Sequence, residues 1–468
     1  MSDEKQYDVV VLGAGIAGLT AAVRSQENGL SVALVEKTPA IGGSSAMSGG
    51  YMAFSGTEEQ AAHGVVDSED LFLADMQVVG QHMSDEKLLR AYLDSQTDTY
   101  RWLKAKGFGF RVLERSAGQT VARSHLSQIK DIVRSLADEF VAGGGDLLLD
   151  HRAVELVREA GSGGGGPRVT GVIVRGDDGV RTLSARAGVV LATGGFSRSE
   201  DLLRTFAPEQ LAAIPYGGLG NTGDGLKMAW KLGAGLADMS YVSATYGSHP
   251  ETTMEFHELL TAYYWGAIIV NTGGERFVDE SQSYKLLGMA VLTQDQGLGF
   301  QVFDSKVRAK SEPGVPLADI DMLEDIGHVF SASTLPELAE KAGIDPVGLR
   351  ATVDRYNAAI AAHGPDEQGR TGINSGVGDL LPIDAPPYYA YPAKALMTTT
   401  YCGVTVTPRS EVVDIDGDVI AGLYAIGEVT GGFHGAAYMT GTSLGKGAVF
   451  GSIVADVLAA TVAVDANS

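Results

Sequence analysis

The sequence predicts an α/β fold in which a Rossmann-type parallel sheet is interrupted by an inserted α+β domain, and three observations lead to it. Residues 7–12 (YDVVVL) are a short β-branched run followed at once by closely spaced glycines and an apolar helical pattern. Such runs mark strands covered on both faces of a parallel sheet. A strand of the same kind, GLYAIG, returns at residues 422–427. From residue 241 to 394 the pattern changes to mixed strands and helices with more proline and charge. The expected division is therefore 1–240 and 395–468 as the two parts of one domain, with 241–394 as a cap inserted between them.

The bulk composition agrees. A chain of 468 residues is long for one core, and 44% hydrophobic with 20% charged residues is globular. A net charge of −23 argues against nucleic acid or an anionic membrane surface as partner. The single cysteine, Cys402, rules out an internal disulfide and a cysteine-cluster metal site; no metal is expected. The start MSDEKQYDVVVLG reaches a strand without a charged-then-apolar leader, so a cytoplasmic location is expected. The apolar run 448–464 carries Asp456 and is short for a membrane span, which predicts a packed C-terminal helix.

The glycines after the first strand are Gly13, Gly15 and Gly18, with Ala14 and Ala17 between them, and a helical pattern runs on to about Asn28. A second strand, 31–35, ends in Glu36. In this order they form a dinucleotide fingerprint: Gly13 permits the tight turn, Gly15 lets backbone approach a pyrophosphate, and Gly18 lets helix meet strand. The helix N-terminus offers its unpaired N–H groups to the phosphates, and Glu36 is placed to accept from a ribose hydroxyl. After Lys37, residues 41–50 (IGGSSAMSGG) supply Gly42, Gly43, Ser44, Ser45, Ser48, Gly49 and Gly50, whose N–H and hydroxyl groups suit an extended ligand.

Residues 67–141 read as mostly helical. Residues 154–157, beginning at Val154, and 169–175 read as paired strands joined by the glycine run 161–167, a surface turn. Residues 188–192 (GVVLA) form another buried strand, running from Ala192 into Thr193, Gly194 and Gly195. A second formal GxGxxG, at 218–223, follows Pro215 and Tyr216 instead of a strand, so no second nucleotide domain is expected.

These residues resemble the FAD-binding family that includes the fumarate reductase and succinate dehydrogenase flavoproteins and the 3-ketosteroid dehydrogenases, over nearly the whole chain. The resemblance implies a GR2-like FAD-binding domain with an inserted cap, and FAD as cofactor. It places Val154, Ala192, Thr193, Gly194 and the Asp224 loop against FAD beside the fingerprint and the 41–50 loop. It also brings Gly427 and Glu428 to the ribityl chain, and Thr442, Ser443 and Leu444, opening the last helix, to the flavin ring. Membrane-bound members tether the flavin through a histidine in the early loop. No histidine occurs in residues 34–50, so non-covalent FAD is expected.

The segment 266–285 (GAIIVNTGGERFVDESQSYK) is similar to the fumarate reductase stretch ending in its proton-donating arginine, and Tyr284 takes that position. The two relay positions upstream fall on Leu260 and Tyr263, the second clamp arginine on Tyr438, and a substrate-binding histidine on Thr399; His249 keeps its counterpart. A dicarboxylate needs arginines to neutralise and clamp it. Tyrosines leave aromatic faces and neutral hydroxyls suited to a small apolar cyclic ketone. The pattern Tyr438-Met-Thr440-Gly441 resembles the ketosteroid dehydrogenases that introduce the 4-ene into a 5α-3-ketosteroid, with threonine for the usual serine.

The resulting expectation is α,β-dehydrogenation of a 3-ketosteroid or smaller cyclic ketone. Tyr438 holds the carbonyl, Tyr284 takes the α-proton, Thr440 lies beside the substrate, and an external electron acceptor reoxidises the flavin. The alternatives are a fumarate-reductase-like reductase of an unsaturated carboxylic acid and a flavin-binding protein without turnover. Association with further copies of the chain stays open.

Overall fold

The computed structural model describes residues 5–116, 118–160, 166–252, 258–315, 317–364, 366–374 and 378–465. The chain forms two compact units. One comprises Met1–Ala207, Gly217–Val242 and Thr399–Ser468, the other Pro208–Tyr216 and Ser243–Thr398.

The first unit is built on an eight-stranded sheet. β1 (Lys5–Leu12) runs parallel to β2 (Val32–Val35), with Val10 opposite Ala33. On its other side it runs parallel to the strand Gly179–Leu191, with Val10 opposite Val189. The parallel order continues to Asp146–Leu148 at one edge and Val419–Ala425 toward the other. Val9, Val10 and Val11 are wholly buried, as expected of a central parallel strand. The hairpin Arg152–Glu159 and Arg168–Gly176 extends from the first half of Gly179–Leu191; residues 161–165 of the glycine run lie outside the described residues.

Helix α1 (Ile16–Glu27) packs against the C-terminal helix Thr442–Asp465. The helices approach so closely that a Cβ on Gly451 would lie 2.8 Å from the Ala17 carbonyl oxygen. Val454, Ala455 and Leu458 are fully buried, and Asp456 accepts from Asn28 Nδ2 at 3.0 Å. The helix starts ahead of the apolar run seen in the sequence. By length and composition Thr442–Val464 is sufficient to cross a membrane, and 56% of its most apolar window is buried inside this unit.

The stretch 67–141 is less uniformly helical than its pattern suggests. Between the helices Glu86–Ala105 and Ile129–Ala142, the strands Phe110–Glu114 and Ser124–Ser127 pair with each other, and Ser124–Ser127 also pairs with Tyr51–Ala53. These strands are short, and pairing with a segment remote in sequence selects their conformation over any local preference.

The second unit carries a mostly antiparallel sheet around the long strand Tyr388–Thr400, which pairs with Leu298–Asp304; that strand pairs in turn with Ile268–Val270. The helices Leu335–Ala342 and Pro346–Ala361 cover it through Leu338, Leu349 and Val353, against Ile268, Val302 and Ala390. Beneath lies a buried ion cluster. Arg276 Nη2 is 2.6 Å from Glu280 Oε2 and Arg276 Nη1 is 2.8 Å from Asp366 Oδ2, while Arg370 Nη1 is 3.2 Å from the same Glu280 oxygen. Arg276 and Glu280 of this segment are therefore framework.

Candidate active site

The fingerprint turn is shaped by two different demands. At Gly13, with φ +105°, a Cβ would lie 2.3 Å from the Ala192 carbonyl oxygen, and at Gly18 it would lie 1.8 Å from the Gly13 oxygen. The protein's own backbone therefore requires both glycines. At Gly15 the nearest atom to an added Cβ is Ser45 Oγ at 3.3 Å, with Gly42 O at 3.7 Å. No main-chain clash demands that glycine, so its open face is free for a ligand.

The N-cap residue of α1, Gly15, has no side chain to cap it; Ser45 Oγ of the 41–50 loop instead accepts from Ile16 N–H at 3.1 Å. The other N–H groups of the first turn remain as donors for an anion. Glu36, buried, accepts from Ala14 N at 2.9 Å through Oε2 and from Thr38 N and Oγ1 at 2.9 and 2.8 Å through Oε1. It thus fixes the turn from below while keeping acceptor capacity on Oε2.

Lys37 and Asp224, both expected at the cofactor, are brought together. Lys37 Nζ lies 2.8 Å from Asp224 Oδ2 and 2.6 Å from Thr222 Oγ1. Arg152, which the sequence reading passed over, donates to both Asp224 oxygens at 2.8 and 3.0 Å. Burial alone would raise the Asp224 pKa, but Arg152 and Lys37 outweigh it and hold the carboxyl below its ordinary value.

In the 41–50 loop, Gly43–Met47 forms one helical turn. Ser44 Oγ accepts from Gly218 N and Asn221 Nδ2, each at 3.0 Å. Ser48 Oγ donates to Ser45 O at 2.8 Å, and a Cβ on Gly50 would lie 2.5 Å from Ser127 O; Gly42 bends the chain at φ +105° and Gly49 precedes Gly50 in the same loop. Asn221 also donates to Glu428 Oε2 at 3.2 Å. Glu428 Oε1 accepts from Thr399 Oγ1 at 2.8 Å and Thr400 N at 3.0 Å. Thr399, at the position of a substrate-binding histidine in the resemblance, thus directs its hydroxyl to Glu428. Asn221 was missed; only its place in GNTGDG could have signalled it.

Thr193 Oγ1 is buried without a protein partner, and Gly194 at φ +71° continues the chain beyond it. Val154 is half-buried in the hairpin strand. Thr442 Oγ1 donates to Met439 O at 2.7 Å, and Ser443 and Leu444 complete the first turn of the C-terminal helix.

The Tyr438 ring lies 5.4 Å from the Tyr401 ring and 5.9 Å from that of His434, centroid to centroid. Tyr401 and His434 are buried and Tyr438 is half-buried. Nothing in the sequence pattern had marked Tyr401. The Thr440 carbonyl accepts from Gln119 Nε2 at 3.2 Å, and Gln119 Oε1 accepts from Ser116 N at 3.0 Å, which holds the YMTG turn.

In the second unit, Tyr284 is the first residue of the helix Tyr284–Leu292. Burial raises its pKa, the direction that keeps the phenol protonated. The next residue, Lys285, is pushed down to about 8 by burial. Tyr263 and Tyr264 stand edge to face at 4.6 Å, and Tyr264 OH donates to Gln282 O at 2.9 Å. His249 stacks on His328 at 3.6 Å and accepts from Glu251 N–H through Nδ1 at 3.2 Å. These two rings and Glu251 are close enough to hold a metal ion. However, the bond to Nδ1 leaves the proton of neutral His249 on Nε2, and parallel rings do not converge their lone pairs on one point.

The first-turn N–H groups of α1, an open glycine face, an orphaned threonine hydroxyl and an acid at the end of β2 have the chemistry to take a dinucleotide. The chain belongs to the FAD binding domain family, which it matches over residues 8–444. It is similar to the NADH:fumarate oxidoreductase of Klebsiella pneumoniae (strain 342), 30% identical over 456 residues that cover 96% of this chain and 47% of that protein. The chain thus spans about half the length of that relative. It is also similar to the 4-oxocyclohexanecarboxylate 2-dehydrogenase of Sinomonas cyclohexanicum, 27% identical over 546 residues, covering 96% of this chain and 91% of that one. Among solved structures, the open conformation of a flavocytochrome c3 fumarate reductase superposes with a TM-score of 0.83 at 29% identity, covering 98% of this chain and 78% of that one. The 3-ketosteroid Δ1-dehydrogenase of Sterolibacterium denitrificans shares the fold, with a TM-score of 0.83 at 24% identity over 97% of this chain and 100% of that one.

Proposed function

We propose that the protein is an FAD-dependent oxidoreductase acting on the CH–CH bond α,β to the carbonyl of a 3-ketosteroid or smaller cyclic ketone. The observation that carries this reading is the character of Tyr438. Where a dicarboxylate clamp would need an arginine, a half-buried phenol packs against two buried rings. Such a site favours an apolar ring with a neutral hydrogen-bond acceptor over a doubly charged chain.

Bound FAD supplies the hydride chemistry at the β-carbon. The residues that hold it in this reading are Gly15 and the α1 N-terminus at the pyrophosphate, Glu36 at a ribose, and Ser44, Ser45, Thr193, Glu428, Thr442 and Ser443 along the remainder. Tyr438 donates its O–H to the ketone oxygen, so that charge developing there is met by a positioned donor. Tyr284 exchanges the α-proton. Its raised pKa keeps it protonated at rest, so it serves directly as proton donor to the α-carbon when the enone is reduced. In dehydrogenation it must first pass its proton on to a base. Thr440 borders the substrate.

The test is anaerobic titration of the oxidised holoenzyme with a saturated cyclic 3-ketone, and of the reduced enzyme with the matching enone. Bleaching near 450 nm in the first or its recovery in the second supports the reading; response to neither, with fumarate reoxidising the flavin, overturns it.

A second reading rests on Lys285, a cation at a helix N-terminus beside Tyr284. It suits an unsaturated acid with one carboxylate, and reoxidation by an enoic acid but by no enone would select it.

A further inference from the structure

Lys446 is buried in the C-terminal helix, 3% exposed, one turn beyond Thr442. Its Nζ donates to Thr430 O at 2.8 Å and stands 5.5 Å from the centre of the Phe433 ring. Glu428, Asp238 and the Cys402 thiol face it electrostatically. Both carboxylates have other partners: Glu428 is held by Thr399, Thr400 and Asn221, and Asp238 accepts from Gly432 N at 2.8 Å. Burial lowers the lysine to about 7 and raises Asp238 and Cys402. The next helix residue, Gly447, abuts the fingerprint helix so closely that a Cβ would lie 3.0 Å from Ile16 Cγ2, and Gly427, beside Glu428, would place one 3.0 Å from Ala17 Cβ.

A buried ammonium with one hydrogen-bond acceptor is costly to hold. The cation nevertheless stands among the elements assigned above to the cofactor, in a region where charges are weakly screened. We propose that Lys446 sets the reduction potential of the bound flavin: its charge, balanced by Glu428 and Asp238 while the flavin is oxidised, stabilises the negative charge that reduction adds. This rests on the placement of FAD against Glu428 and the start of the C-terminal helix. By linkage, reduction must raise the affinity of Lys446 for its proton in return.

The test is dye-equilibrated potentiometry of the holoenzyme and of Lys446→Gln, which keeps an N–H for Thr430, and Lys446→Arg, which keeps the charge. FAD content is measured for each. At pH 6, Lys446→Gln is expected to retain FAD and to lose about tenfold in stabilisation of the reduced form, about 30 mV for a two-electron couple, while Lys446→Arg stays near wild type. At pH 9, where the wild-type lysine has lost its proton in the oxidised enzyme, the gap between wild type and Lys446→Gln narrows. Full FAD content with an unchanged potential in Lys446→Gln overturns the proposal, as does an equal fall in Lys446→Arg, which would make the effect one of packing. Should the variants not fold, the wild type decides: between the two lysine pKa values reduction must take up an extra fraction of a proton, about half of one for a tenfold effect, and a potential whose slope against pH shows none overturns it. Glu428→Ala separates the premise. Unchanged FAD affinity there means that the cofactor placement is wrong, whereas weakened affinity with an unchanged Lys446→Gln potential faults the lysine alone.

Discussion

Lys37 Nζ stands 2.8 Å from Asp224 Oδ2, tying the end of β2 to the start of the helix Asp224–Lys231. Arg152 holds the other Asp224 oxygen at 2.8 Å, so one carboxylate joins a strand, a hairpin and a helix of the first unit.

Asp224→Asn is therefore expected to destabilise this unit at neutral pH by about 1.5–3 kcal/mol, the range for hydrogen bonds to charged groups. Because the folded-state pKa is depressed, the stabilisation is present above the unfolded value, ~3.9, and is lost as pH falls through the folded value. Urea unfolding at pH 7 should separate variant from wild type, and the gap should begin to narrow below about pH 4 and close only below the depressed folded-state value.

Gly15→Ala and Gly18→Ala should fail differently. An added Cβ at Gly18 meets the Gly13 carbonyl oxygen at 1.8 Å, an impossible contact, and that variant should not yield folded protein. At Gly15 the contact is a serine hydroxyl at 3.3 Å, so that variant should fold with a near-normal circular dichroism spectrum and bind FAD weakly. Equal FAD affinity in Gly15→Ala and wild type would remove the pyrophosphate assignment.

Glu36→Ala should release FAD more readily, with the flavin unchanged in its chemistry once saturated. Two effects combine: a ribose acceptor is lost, and the Ala14 N–H, bonded to Glu36 at 2.9 Å, loses its partner. Reconstitution of apoprotein with FAD measures the affinity. The same preparations test tethering, since acid should free all the flavin from wild type.

Tyr284→Phe keeps the ring and removes the proton. The flavin-reduction step with a saturated cyclic ketone should slow by about 10²–10⁴ with little change in substrate affinity. Tyr438→Phe should weaken both affinity and rate. Stopped-flow bleaching reads each directly, and a Tyr284→Phe protein that bleaches at the wild-type rate would mean that the tyrosine only packs.

Arg276→Met should be among the most damaging single changes in the second unit. It leaves Glu280 and Asp366 buried with one fewer cation, a loss of about 3–5 kcal/mol for a broken buried pair. Thermal unfolding should show it without loss of FAD from the protein that remains folded.

Much of the first unit was legible because its determinants are local. A β-branched run, three glycines, a helical pattern and an acid follow one another within 36 residues, and each acts on its immediate neighbours. The strands Phe110–Glu114 and Ser124–Ser127 were not legible, because Ser124–Ser127, which joins them in one sheet, pairs on its other side with Tyr51–Ala53 far upstream and nothing local marks the pairing. The roles of Lys37 and Asp224 read as two separate cofactor contacts for the same reason: an ion pair across 187 positions of sequence leaves no pattern in either neighbourhood.

By itself the sequence determined the fingerprint turn and the parallel sheet around β1. Backbone sterics and short-range spacing write these directly into residue order. Only the tertiary structure decided which charges are satisfied and which rings meet. It made Arg276 and Glu280 framework, set Tyr401 and His434 against Tyr438, and raised the pKa of Tyr284 where a base would need it lowered. Burial and partner choice are properties of the packed chain, since desolvation acts on a side chain only through the neighbours that folding brings around it.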